Sequence, residues 1–251
     1  MVYGIEKYKE YFEEYNNQYV FIGGSACSIL INDLGGSFRV TKDLDVVLLT
    51  EYLNKSFGET FWQFINDGKY ENKRKNNGKD QFYRFSNPKV NGFPKMVELF
   101  SRKQEKMELK FDSHLSPIAF EDEISSLSAI LLDNNYYEML LNGKRNIDGY
   151  SVLDLEYLIL FKIKAWIDLS KRVKEGERVN SKSIKKHKND VFRLLMFSDP
   201  IKRIKLTESI MNDLNVFIED ISRNRVNLKN LGIKNIEYSQ ILELLNSIFK
   251  L

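Results

Sequence analysis

The segment Arg39-Val-Thr-Lys-Asp-Leu-Asp-Val-Val-Leu-Leu49 decides how this chain is read, together with Tyr19-Val-Phe-Ile-Gly-Gly-Ser25 upstream of it. A strand turns successive side chains to opposite faces. In an extended segment Asp43 and Asp45 therefore share one face, with Leu44 between them and Val46 beyond. Two carboxylates on one face repel each other unless a cation stands between them. A divalent metal removes that repulsion, and metal-bound carboxylate pairs are widely used to handle phosphates. The plainer alternative is an exposed strand face that ends in solvated carboxylates.

The upstream segment adds a second element. Residues 19–22 form a short apolar strand, Gly23-Gly24 breaks it, and 25–32 has helical spacing. Glycines at a strand–helix turn let the backbone approach a ligand closely. The helix start then aims free N–H groups and a positive dipole end at an anion, and Ser25 can add a hydroxyl donor. Such turns also use glycine for purely structural reasons. A third acid, Glu98, sits in the apolar run Met96-Val-Glu-Leu-Phe100, where an unpaired charge is costly. If that strand neighbours the aspartates, three carboxylates converge. Three acids can hold two Mg²⁺ ions, which activate an attacking hydroxyl and neutralise a triphosphate. A solvated, edge-facing glutamate is the alternative for Glu98.

Composition sets the frame. The chain has 251 residues, 43% of them hydrophobic and 29% charged, as in a globular protein of one large domain or two modest ones. No apolar run approaches the roughly 18 residues of a membrane span, and the N-terminus lacks a signal-peptide pattern. Cys27 is the single cysteine, which excludes an internal disulfide and argues against a zinc cluster. The expectation is a cytoplasmic protein with no membrane partner. A net charge of +3 permits an anionic partner without requiring one, and basic residues concentrate between 162 and 188.

The first half alternates strands and helices. Helices are expected at 5–15, 25–32 and 59–66, stopped in the second case by Gly35-Gly36. Strands are expected at 19–22, 40–49, 81–86 and 95–100, with short β segments at 106–111 and 115–120 and a polar loop or turn at 71–80. The second half has helical period at 124–132, 135–141, 154–174, 181–197, 204–221 and 238–249, with Asp154 and Ser181 as expected N-caps. The layout is α+β, with a mixed β-sheet core and flanking helices over 1–120 and a helical C-terminal part over 121–251.

Phe21-Ile-Gly-Gly-Ser-Ala26 and Arg39-Val-Thr-Lys-Asp-Leu-Asp45, in this order and followed by a lone acid, resemble the DNA polymerase β-like nucleotidyltransferase superfamily. Within it the chain looks most like the AbiEii-type nucleotidyltransferases, toxins of toxin–antitoxin and abortive-infection systems. The resemblance implies that Gly23, Gly24 and Ser25 cradle nucleotide phosphates, that Asp43 and Asp45 bind metal, and that Glu98 occupies the third-acid position. It extends to Lys162-Ile-Lys-Ala165 and to Lys185-Lys-His-Lys-Asn-Asp190-Val-Phe-Arg-Leu194. It implies that Lys162 or Lys164 assists a triphosphate, and that Asp190 orients the lysine or a sugar hydroxyl. Arg193 departs from the family pattern, which often has an aspartate there, and Asn189 interrupts its basic–acid pair. The likeness covers about two-thirds of the chain and thins after about residue 200.

The activity it implies is Mg²⁺-dependent transfer of a nucleoside monophosphate from an NTP to an acceptor, which is RNA such as a tRNA 3′ end, or a protein hydroxyl. An antitoxin protein would then be a partner. A small-molecule acceptor and a catalytically silent nucleotide- or RNA-binding module are the alternatives. Other residues have plainer readings. Lys162 and Lys164 on an amphipathic helix also read as a solvated face, and His114 and His187 lack metal-ligand spacing. Cys27 reads as a small core residue. Gln81-Phe-Tyr-Arg-Phe85 reads as packing, although Tyr83 and Arg84 could meet a base or a phosphate.

Overall fold

The computed structural model describes residues 2–39, 41–72, 82–102 and 130–249. The expected β segments at 106–111 and 115–120, His114, and most of the expected helix at 124–132 lie outside the described residues. The chain divides into two compact units. The described residues of the first lie within Met1–Glu121 and Gly143–Asp154, and those of the second within Asp122–Asn142 and Leu155–Leu251. Among the described residues no helix is long and apolar enough to cross a membrane.

The first unit is built on a seven-stranded mixed sheet. Its strands are β1 (Tyr19–Ile22), β2 (Asp43–Leu48), β3 (Glu71–Asn72), β4 (Phe82–Ser86), β5 (Met96–Ser101), β6 (Lys144–Ile147) and β7 (Tyr150–Leu153). They lie in the order β3-β4-β5-β2-β1-β7-β6. The pairs β2/β5 and β1/β7 are parallel, and the other neighbours are antiparallel. Among the described residues three helices accompany the sheet, α1 (Ile5–Phe12), α2 (Gly23–Asp33) and α3 (Lys55–Gly68).

These helices form where apolar spacing and caps coincide. Ile5, Tyr8 and Phe12 recur on one stripe of α1, and all three are buried. A 3₁₀ turn, Glu13–Tyr15, completes the segment read from sequence as one helix. In α3, Phe57, Phe61, Phe64 and Ile65 are buried, and the Asn54 side chain accepts the Phe57 N–H at 2.8 Å as N-cap. The aromatic stripes of α1 and α3 meet on the sheet. Tyr8 stacks on Phe12 at 4.2 Å and meets Tyr19 and Phe21 of β1 at 5.4 and 5.0 Å. Phe61 packs on Phe85 of β4 at 5.3 Å. Ring pairs at such spacings contribute about 0.5–1.5 kcal/mol each beyond area burial. Where α1 and α3 meet the sheet, the core is thus rich in aromatic rings.

The hairpin β6–β7 was not legible as strand. It falls between two helical segments, and Lys144-Arg-Asn-Ile-Asp-Gly-Tyr-Ser-Val-Leu153 is too short and polar at its start to stand out. Asp148 and Gly149 take positive φ at its turn, the geometry of a tight hairpin. β7 then docks beside β1, with Val152 opposite Phe21.

The second unit is helical, with α4 (Asn134–Asn142), α5 (Leu155–Lys174), α6 (Ser181–Leu195), α7 (Glu208–Arg223), a 3₁₀ turn (Leu228–Leu231) and α8 (Tyr238–Phe249). Helix α5 is buried on most of its circumference, from Leu155 through Leu169. Its Trp166 meets Phe217 of α7 edge-on at 5.3 Å. Several expected boundaries differ by a few residues, among them two helix starts. The N-cap of α6 is Asn180, whose side chain accepts the Lys182 N–H at 3.0 Å, and Ser181 is the first helical residue. Helix α7 begins at Glu208 rather than 204, behind Thr207 at its N-cap. The α+β class expected from sequence is what the structure has, with a mixed sheet, flanking helices and helices toward the C-terminus.

Candidate active site

Register assembles the site. Ile22 at the end of β1 stands opposite Asp45 on β2. Asp45 in turn is paired with Glu98 on β5, and Glu98 with Arg84 on β4. These four strands are neighbours in the order β4-β5-β2-β1. Arg84, Glu98, Asp45 and the turn after Ile22 therefore form one row across the sheet. Asp43, two residues before Asp45, lies on the same face by strand period. Both aspartates are partly exposed, and Leu44 between them is buried.

The glycine turn is fitted to Asp45. Helix α2 begins at Gly23, and the Gly24 N–H donates to Asp45 Oδ2 at 3.1 Å. The carboxylate thus lies at the positive end of α2. Gly23 has φ +63°, and a Cβ there would lie 2.0 Å from Asp45 Oδ2. Only glycine meets both demands. Ser25 is fully buried. Its hydroxyl donates to Ile22 C=O at 2.9 Å and accepts the Asp45 N–H at 3.3 Å. Ser25 accordingly ties the turn to β2 instead of presenting a hydroxyl to solvent.

A test follows from this contact. Gly23→Ala is expected to lower the thermal midpoint well beyond the effect of Gly35→Ala. Gly35 has φ +73° with nothing within 4 Å of the added Cβ. Both variants suffer the left-handed backbone penalty of about 1–2 kcal/mol. Only Gly23→Ala must also displace Asp45. Equal losses in thermal denaturation would refute the close contact.

Glu98 is 7% exposed. Arg84 donates to its Oε1 from Nε at 2.8 Å and from Nη2 at 2.7 Å. Burial, then the charge of Asp45, pushes the Glu98 carboxyl up to about 8, against the opposing pull of Arg84. A carboxyl titrating near neutrality suits proton transfer. Among the described residues no group of three or more His, Cys, Asp or Glu side chains is arranged to hold a metal ion. The donor chemistry still suits one. Asp43 and Asp45 present hard carboxylate oxygens on a partly exposed face, and Asp45 stands against Glu98 in a repulsion that a cation would relieve.

Lys162, Lys164 and Asp190 belong to the helical unit. Lys162 on α5 is 5% exposed, so it is no part of a solvated face. Its Nζ lies 3.4 Å from Oδ2 of Asp190 on α6, which is fully buried. Arg193 places Nη1 3.2 Å from Asp190 Oδ1. One buried carboxylate thus faces two cations. Lys164 pairs with Asp213 of α7 at 2.7 Å, and the Tyr136 hydroxyl donates to the same oxygen at 3.0 Å.

No protein-family model matches the chain, and no curated protein does. Among solved structures it is similar to an antigenic nucleotidyltransferase-like protein from Paracoccidioides brasiliensis. The two share 14% identity over 93% of this chain and 95% of that one, with a TM-score of 0.43.

Arg84 is the site residue that sequence reading undervalued. The signal was present as two lone, opposite charges on two apolar strands, Arg84 within Phe82–Ser86 and Glu98 within Met96–Ser101. Register alone reveals that they face each other. Thr41 also escaped notice, although a Cβ on Gly24 would meet its Oγ1 at 2.9 Å.

Proposed function

We propose that the chain is a metal-dependent nucleotidyltransferase that moves a nucleoside monophosphate from an NTP to an acceptor hydroxyl. The observation that supports this is the row in which the N-terminus of α2, Asp45 and Glu98 stand side by side, with Asp43 on the same strand. A helix start beside a crowded set of acids suits a ligand that brings cation and phosphate together. In the reaction the acceptor oxygen attacks the α-phosphorus and forms a new P–O bond. The bond from the α-phosphorus to the bridging oxygen breaks, and pyrophosphate leaves with the electron pair. Glu98 takes the hydroxyl proton. Asp43 and Asp45 would hold Mg²⁺, with Glu98 as the third carboxylate of the set. The cation, when bound, supplies charge neutralisation on the triphosphate. The backbone of Gly23 and Gly24 meets the phosphates, and Ser25 keeps that turn in place.

The nucleotide-binding roles of Lys162, Lys164 and Asp190, and a toxin role of AbiEii type with RNA or a protein as acceptor and an antitoxin as partner, belong to this proposal through the sequence resemblance. The test incubates the protein with each labelled NTP and total RNA, protein or small acceptors, in Mg²⁺ and in EDTA. Label transfer is expected in Mg²⁺, and its loss in EDTA. Transfer that survives EDTA would remove the metal from the proposal. NTP binding with no transfer to any acceptor would leave a nucleotide-binding module in its place.

A further inference from the structure

A cleft of about 710 Å³ opens at the end of the β2/β5 pair that carries Asp43, lined entirely by residues of the sheet unit. Its size falls in the range of small-ligand sites, about 300–1,000 Å³. Its position is set by the same strands. Thr41, which faces Gly24, lines it, as do Lys42 and Lys95. Lys42 immediately precedes Asp43, and Lys95 immediately precedes Met96, the residue paired with Asp43. Both lysines therefore sit at the end of the parallel pair β2/β5 where Asp43 sits.

The lining contains three lysines and no carboxylate. Lys89 is already paired with Glu71 on β3. Lys42 and Lys95 are exposed, and among the described residues no ion pair to either is formed. Tyr3 forms part of the wall and is 51% exposed, with its hydroxyl held by the Gly92 N–H at 3.0 Å. Two lysines converging on a cleft without acids, beside a tethered ring, make an anion site with an apolar shelf. Its Lys42 adjoins Asp43 in sequence, and its Thr41 faces Gly24 of the glycine turn.

We propose that this cleft binds a phosphate group of the acceptor, a mono- or diester close to the hydroxyl that attacks the NTP. Its role as acceptor site rests on the nucleotidyltransferase reading. Its affinity for phosphate esters does not. Lys42 and Lys95 hold the phosphate, and the ring of Tyr3 covers the adjoining part of the ligand. The two clusters of charge divide the labour, with the glycine turn and acids taking the triphosphate and the lysine cleft taking the acceptor.

The test measures binding of two probes to the full chain, a 5′-phosphorylated tetraadenylate by fluorescence anisotropy and glycerol 3-phosphate by calorimetry. Wild type, Lys42→Ala/Lys95→Ala and Asp43→Asn/Asp45→Asn are compared. The lysine variant is expected to bind several-fold more weakly with an unchanged thermal midpoint. For the oligonucleotide, its dependence of log affinity on log salt should flatten by roughly one per lysine removed. The aspartate variant should bind the probes at least as tightly as wild type. Preference for tetraadenylate assigns a polynucleotide end, and preference for glycerol 3-phosphate a small acceptor. Equal binding by wild type and lysine variant, or none by wild type, overturns the proposal. Lysine-dependent binding in a protein that transfers no nucleotide keeps the cleft as a phosphate-ester site and discards the transferase reading instead.

Discussion

Replacing Asp43 and Asp45 together by asparagine is expected to lower Mg²⁺-dependent nucleotidyl transfer by about a thousandfold, or about 4 kcal/mol of transition-state stabilisation. Asparagine keeps the shape of both side chains. Its amide oxygen can still accept the Gly24 N–H that Asp45 accepts at 3.1 Å. What disappears is the charge that a divalent cation needs. The same change removes the neighbour whose charge helps raise the Glu98 carboxyl. The metal-free variant should therefore denature at the same temperature as wild type or above it. Lost activity with undiminished stability is the pattern of a metal-binding pair. A structural pair would lose both, and transfer that persists in the variant would sink the assignment.

At alkaline pH, where Glu98 is charged, Arg84→Ala is expected to destabilise the metal-free protein by about 3 kcal/mol, the range found when one member of a buried ion pair is removed. Arg84 and Glu98 side chains are only 17% and 9% exposed. Without the guanidinium, Glu98 remains buried beside Asp45 with no opposing charge, and its carboxyl is held still further above the ordinary range. A carboxyl raised in the folded state binds its proton more tightly there than in the unfolded chain. Stability is therefore fully present below the ordinary carboxylate value. It declines as pH rises toward the folded value, about 8 in wild type and higher in the variant. Mg²⁺ at neutral pH should raise the midpoint of the variant more than that of wild type, because it supplies the missing positive charge. Glu98→Gln placed on Arg84→Ala should restore much of the loss, which a double-mutant cycle reads directly. Thermal denaturation with and without Mg²⁺ decides it, and an Arg84→Ala midpoint equal to wild type would refute the buried pair.

The two halves of the site were legible to different degrees, for a physical reason. Asp43 and Asp45 declare a shared face through local strand period, and Gly23-Gly24 declares a turn through local backbone need. Both signals sit within a few residues of their cause. The adjacency of Asp45 to Glu98 depends on which strands pair and in what register, and register is a long-range property. The sequence could state that adjacency only as a condition. Arg84 needed two such registers at once, and the hairpin β6–β7 hid because short, partly polar strands carry little periodicity. The described helices of the second half match their expected ranges at their centres, since amphipathic period is local. Their caps were misplaced by one to four residues at Ser181 and at the start of α7.

The late hairpin has a consequence for the order in which this protein is made. Strand β1 is paired with β2 on one side and with β7 on the other, and Tyr19, Val20, Phe21 and Ile22 are all buried. Until the ribosome has delivered residues 150–153, that second edge is bare, apolar and open to pairing with any other chain. A fragment ending before residue 144 contains every acid of the row and still carries this exposed edge. Self-association of such a fragment would then report an unfinished sheet, not a defective site.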